Sequence, residues 1–172
     1  MSKPNVRTIF ALVAVGLLAL AAVTAGVVAY AVSKAPKHYP ELTVFANGES
    51  VVVEPYGYCE LSNGECVNDE STYYIPATSG KPVQVSLPTS IAEAPWIVVT
   101  VYERPNGEQF ERILSFIDYP SGTRFLSLDT QPEPELRLAG FELRLPIVYT
   151  DPATGQEMYD VHGLWRVGTP QP

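Results

Sequence analysis

Histidine occurs only twice in these 172 residues, and cysteine twice. That scarcity removes most common routes to chemistry. A metal centre or an acid–base constellation draws on several such side chains at fixed spacing. Here His38 and His162 stand far apart in sequence, and the acids Asp69, Glu70, Glu133, Glu135 and Asp151 are scattered over expected loops with no calcium-loop pattern. The serines form no G-x-S-x-G elbow and no S-x-x-K pair. The cysteines are not spaced as a C-x-x-C redox motif. His162 with Asp160 two residues before it on the same strand face is the one pair that resembles an acid–base couple. A strand histidine without partners is the simpler account of it. The chain is therefore expected to be non-enzymatic, with no cofactor and no metal.

Basic side chains are also in short supply, 11 against 19 acidic ones. Beyond residue 32 the count is nine against nineteen, a net charge of −10. Such a surface repels phosphate backbones and anionic headgroups, which excludes nucleic acid as an expected partner. Internal repeats and long low-complexity tracts are absent as well.

One long hydrophobic run is present. Residues 8–32 hold 25 consecutive uncharged positions, flanked by Lys3 and Arg7 before and Lys34 and Lys37 after. About 20 apolar residues suffice to cross a hydrocarbon core about 30 Å thick. The run is thus expected to be a transmembrane helix following a cytoplasmic head, residues 1–7. A cleaved secretory signal is the rival, since Ala29-Tyr30-Ala31 has the form accepted by signal peptidase. The length of the run exceeds the 7 to 15 residues or so of a signal's apolar region. Flanking charge leans only slightly toward an inside N-terminus. Paired cysteines in the remainder suit an oxidising compartment. Together these place the C-terminal body outside the cytoplasmic membrane in a single-pass arrangement. Ala21, Ala22, Ala25, Gly26 and Ala29 recur at spacings of three and four, which lets membrane helices approach closely; an alanine-rich composition alone produces the same spacing.

Residues 33–40 read as a short polar linker, so the globular part begins close to the membrane surface. Residues 41–168 read as one extracytoplasmic domain, and 169–172 as a frayed tail. The body is β in pattern. Leu42, Val44 and Ala46 alternate with polar or aromatic positions, and Asn47-Gly48 supplies a tight turn into Glu49 to Glu54. Val83, Val85 and Leu87 alternate in the same way. Trp96 to Arg104 is the most strand-like segment, turned by Pro105-Asn106-Gly107 toward Gln109 to Ile117. Leu136 to Tyr149 and Glu157 to Gly168 form two long strands around the turn-forming residues 151–155. Seven to nine such strands punctuated by glycine and by 16 prolines predict an all-β fold, an immunoglobulin-like β-sandwich behind one N-terminal helix. Trp96 and Trp165 are expected in its core.

Cys59 and Cys66 bracket Asn63-Gly64, a pair suited to a reversal, and a disulfide between them is expected. Closing so short a loop contributes about 2 to 2.5 kcal/mol in the chain-entropy argument. Tyr56, Tyr58, Tyr73 and Tyr74 crowd around this hairpin, either as a contact surface or as cover for a sandwich edge.

The segments YCELSNGEC from Tyr58, KPVQVSLPTSIAEAPWIVVTVY from Lys81, LAGFELRLPIVY from Leu138 and GLWRV from Gly163 resemble the actinobacterial family DUF2771 over nearly the whole chain. The most specific elements are Tyr58-Cys59, Cys66, the run ending at Pro88, and Ala94-Pro95-Trp96. The resemblance implies a small exported or membrane-anchored envelope protein, and it transfers no catalytic residue. Expected partners are the membrane and a protein of the cell envelope: an accessory or assembly subunit of a respiratory or cell-wall complex. The alternative is an extracytoplasmic binding module for an envelope glycan, lipid or cation.

Overall fold

The computed structural model describes residues 6–34 and 38–171. They form two compact units, divided at His38 and Tyr39. The first is helix α1, Val6–Lys34. Every described side chain on it is exposed, and Ile9–Lys34 is long and apolar enough to cross a membrane. Ala21, Ala22, Ala25, Gly26 and Ala29 lie on this helix, and nothing comes within 4 Å of a Cβ built on Gly26.

The second unit is a sandwich of two largely antiparallel sheets. One contains β1 (Leu42–Ala46), β2 (Glu49–Val53), β6 (Val83–Ser86) and β9 (Phe125–Leu128), in the order β2-β1-β6-β9. The other contains β3 (Gly57–Cys59), β4 (Cys66–Asn68), β7 (Ile97–Glu103), β8 (Gln109–Ser115), β10 (Arg137–Thr150) and β11 (Glu157–Gly168), in the order β4-β3-β11-β10-β7-β8. The short β5 (Tyr73–Tyr74) joins the second sheet by pairing parallel to β11. The chain crosses between the sheets from β6 to β7, from β8 to β9 and from β9 to β10, as immunoglobulin-type strands do, so that β1-β6-β9 lie in one layer and β11-β10-β7-β8 in the other.

Alternation decides which side chains enter the core. Strand β1 buries Leu42, Val44 and Ala46 and exposes the residues between them. Its turn at Asn47-Gly48 takes positive φ at both positions, 52° and 86°, the geometry that matches the twist of a two-residue hairpin. Trp96 and Trp165 are buried between the layers with Phe141, Leu143, Leu126 and Val85. The indole N–H of Trp165 donates to the Pro40 carbonyl at 2.9 Å. The buried Thr130 hydroxyl is satisfied by the Thr78 and Lys81 carbonyls, at 3.1 and 2.9 Å.

Three details differ from the expectations. Residues 116–118 form a 3₁₀ turn rather than the end of β8, because Asp118 accepts the Ser115 N–H and pulls the chain out of the ladder. A single helical turn, α2 (Thr89–Ala92), follows Pro88 and buries Ile91 and Ala92. The first two residues of the expected frayed tail, Thr169 and Pro170, are hydrogen-bonded to the sandwich. Thr169 is buried, its hydroxyl donating to the Leu138 carbonyl at 2.7 Å, and the Pro170 carbonyl accepts from the Ala77 N–H.

Candidate functional site

Exposed apolar side chains concentrate at one end of the sandwich, where the chain enters it. Tyr39, the first residue of this unit, packs its ring 5.7 Å from Tyr58. Tyr58 in turn meets His162 at 5.8 Å and Trp165 at 6.0 Å. The disulfide hairpin β3–β4 stands at the same end. Cys59 and Cys66 face each other across it and are bonded, with Cα atoms 4.0 Å apart.

Beside this hairpin the two longest strands leave the sandwich. Pairing of β10 with β7 stops at Arg144↔Ile97, and pairing of β11 with β3 covers only Gly163 and Leu164. From Pro146↔Val161 to Thr150↔Glu157 the two strands pair only with each other among the described residues. The register skips His162 where this ribbon departs, Leu145 facing Gly163 and Pro146 facing Val161. Such a bulge bends a strand pair and re-aims it. At the tip Asp151 accepts from the Ala153 N–H and the Thr154 hydroxyl, at 2.9 and 2.7 Å, and these bonds hold its carboxyl below the usual carboxylate range.

The ribbon carries apolar pairs on both faces. Val148 faces Tyr159, and Pro146 faces Val161; on the other face Tyr149 opposes Met158. Tyr159 is 76% exposed. Nearby, Leu61, Phe116, Ile117 and Phe125 are also exposed, the last two at 75% and 74%. A groove of about 530 Å³ lies at this end between residues 92–96 and 116–123, with Trp96 and Tyr119 in its wall. Elsewhere in the two sheets the exposed large apolar residues among those described are Phe45, Val52, Tyr74 and Ile113.

A second polar cluster occupies the outer face of the larger sheet. Glu142 accepts from Arg144 Nε at 2.9 Å and Arg166 Nε at 2.7 Å, and the Arg166 guanidinium stacks 4.4 Å over Tyr56. Burial alone would raise the Glu142 carboxyl. The two guanidinium groups outweigh it and leave the pKa below the ordinary value. One row along, Gly140 and Gly168 face each other across β10 and β11. They floor a trough of about 360 Å³ that Tyr74, Glu142 and Arg166 also line.

The remaining sequence-predicted residues fall as follows. His162 Nδ1 lies 3.3 Å from the Cys59 carbonyl and its ring against Tyr58, while the Asp160 carboxylate takes the Val161 N–H at 2.7 Å. The two side chains thus engage different neighbours. Among the described residues no three His, Cys, Asp or Glu side chains gather as a metal would require. Tyr56 and Tyr58 are cover for the sheet edge and the cysteine hairpin, whereas Tyr74 stays exposed. Sequence reasoning placed the β10–β11 hairpin but missed its overhang; the signal was the mismatch in length between those strands and Trp96 to Arg104.

An immunoglobulin-type sandwich behind one N-terminal apolar helix defines a class, that of a single-domain body with a membrane anchor or signal sequence at its front. The family model described as "Protein of unknown function (DUF2771)" matches residues 35–170, and the chain belongs to that family. Similar proteins include an uncharacterized protein of Mycobacterium tuberculosis strain H37Rv and another of Mycobacterium bovis. Each is 28% identical over 130 residues, which are 74% of this chain and 76% of the relative. No solved structure matches.

Proposed function

We propose that the protein is a membrane-anchored, non-enzymatic accessory or assembly subunit of a larger complex, in the respiratory or cell-wall machinery, with its sandwich on the outer side of the cytoplasmic membrane. The observation that supports this reading is the gathering of exposed apolar side chains at the end where the chain enters the sandwich. Surfaces of this kind mark contact sites more often than solvent-facing ends. The disulfide supports the oxidising side. Solubilisation of native membranes in a mild detergent tests the reading: the protein should migrate with a larger assembly, and recovery as a lone monomer in every detergent overturns it.

A binding module for an envelope glycan, lipid or cation has one observation in its favour, the trough over Gly140 and Gly168 beside the exposed Tyr74. Titration with soluble envelope glycans, followed by amide shifts at these two glycines, distinguishes it. Shifts confined to the trough favour the module, and their absence favours the subunit.

A further inference from the structure

Beyond Arg144 the outer edge of β10 is unpaired among the described residues. Proteins guard such edges with charge, proline, bulges or a covering segment, because their free N–H and C=O groups template another strand. Here β7 stops at Ile97, opposite Arg144, and no described strand continues along β10 beyond it. Pro146 stands at the start of the open stretch, and Ile147, Val148, Tyr149 and Thr150 follow, four uncharged residues of high strand propensity. The opposite edge differs: β11 carries Glu157 and Asp160 over the same length. A two-stranded ribbon is marginal in water by itself, and this one shows apolar side chains on both faces.

Charge selects the occupant. Residues 145–161 contain Asp151, Glu157 and Asp160 and no lysine or arginine. A second copy would set the same carboxylates against each other, and an anionic lipid surface would repel them. An extended segment bearing Lys or Arg on either side of apolar residues satisfies the ribbon edge, its apolar faces and its carboxylates together.

Resting on the accessory-subunit reading, we infer that the β10 edge from Pro146 to Thr150 is a docking strand. It takes up an extended, basic extracytoplasmic segment of a membrane protein by β-addition. Main-chain hydrogen bonds give the added strand its register, and Val148 and Tyr149 give it apolar contacts. Glu157 and Asp160 select its charge across the width of the ribbon.

The test uses the full chain in native membranes, with photoreactive benzoylphenylalanine placed at Val148 or, for comparison, at Ile113, an exposed position on the neighbouring sheet face. Val148 should yield an adduct whose partner peptide lies in an outer, non-helical part of a membrane protein and contains Lys or Arg; Ile113 should yield at least tenfold less of it. Glu157→Lys should cut the Val148 adduct several-fold while thermal unfolding stays within about 2 °C. An adduct to a second copy, to lipid or to a peptide without basic residues overturns the inference, as does no adduct at all. Co-migration with a large assembly, combined with adducts only from Ile113, overturns the docking strand and leaves the subunit reading standing. Migration as a lone monomer removes both.

Discussion

Glu142 is the side chain on which the outer face of the larger sheet turns, since it joins Arg144 on its own strand to Arg166 on the next. Its folded-state pKa lies below the ordinary carboxyl value despite the opposing effect of burial. A depressed carboxyl contributes stability above its unfolded pKa and loses it as the pH falls through the folded one. Both arginines are more than a third exposed, so solvent screening reduces the contribution. Glu142→Gln should destabilise the protein by about 1 kcal/mol near pH 7. In urea unfolding the gap between the two proteins should close as the pH is lowered below the ordinary carboxyl range. Gly140 is a steric case. A Cβ there would sit 2.6 Å from the Val167 carbonyl oxygen, backbone that cannot swing away. Gly140→Ala should therefore cost about 1 to 3 kcal/mol, read as a lower denaturant midpoint. Neither effect was legible in the sequence. The Glu142↔Arg166 pairing exists only once β10 and β11 are in register, and the approach at Gly140 depends on the bulge between Leu138 and Gly140.

At the scale of elements, the hairpins were the legible part. Asn47-Gly48, Asn106-Gly107 and the turn after Asp151 each join strands whose alternation could be read locally, Asn63-Gly64 was marked by its flanking cysteines, and each is a reversal in the structure. The two-residue β5, the four-residue β9 and the four-residue α2 were missed; β5 and α2 are too short to show a period, and β9 has only Leu126 and Leu128 buried, with the apolar Phe125 exposed beside them. The Cys59–Cys66 bond closes β3 and β4 at the end where the chain enters, and β3 pairs with β11 next to the bulge at His162. Replacing both cysteines by serine should lower stability by about 2 kcal/mol. The loss should be local: amide exchange should accelerate first at residues 57–68 and at the start of the ribbon, while the Trp96 and Trp165 core stays protected. Uniform acceleration over the whole sandwich would show that the hairpin is integral to the fold rather than appended to it.

For the whole molecule, the acidic body and the apolar helix assign different tasks to different ends of the chain. The sandwich closes its core around two buried tryptophans, and its Cys59–Cys66 bond joins β3 to β4 within one sheet, whereas antibody domains bridge their two sheets. The packing between the sheets therefore involves no disulfide, whereas the hairpin at the chain's point of entry does. Sheet order and the overhang of β10–β11 came from pairings between residues far apart in sequence, which no local pattern encodes. The same long-range pairing gathers Leu61, Ile117, Phe125 and Tyr159 at the end that carries Tyr39, although they are scattered over about a hundred positions in the chain. Mass analysis of the N-terminus of the protein isolated from membranes should recover residues 8–32, as an anchor requires. A mature chain beginning at Val32 would identify a cleaved signal instead.

The most direct test of an outward-facing sandwich held by one anchor is protease added to spheroplasts and, in parallel, to inverted membrane vesicles, with an epitope tag added at the C-terminus and followed by blotting. The account predicts that spheroplasts lose the tagged body and inverted vesicles protect it. Protection in spheroplasts with digestion in inverted vesicles would place the body inside the cell, and would remove the oxidising environment that the Cys59–Cys66 bond requires.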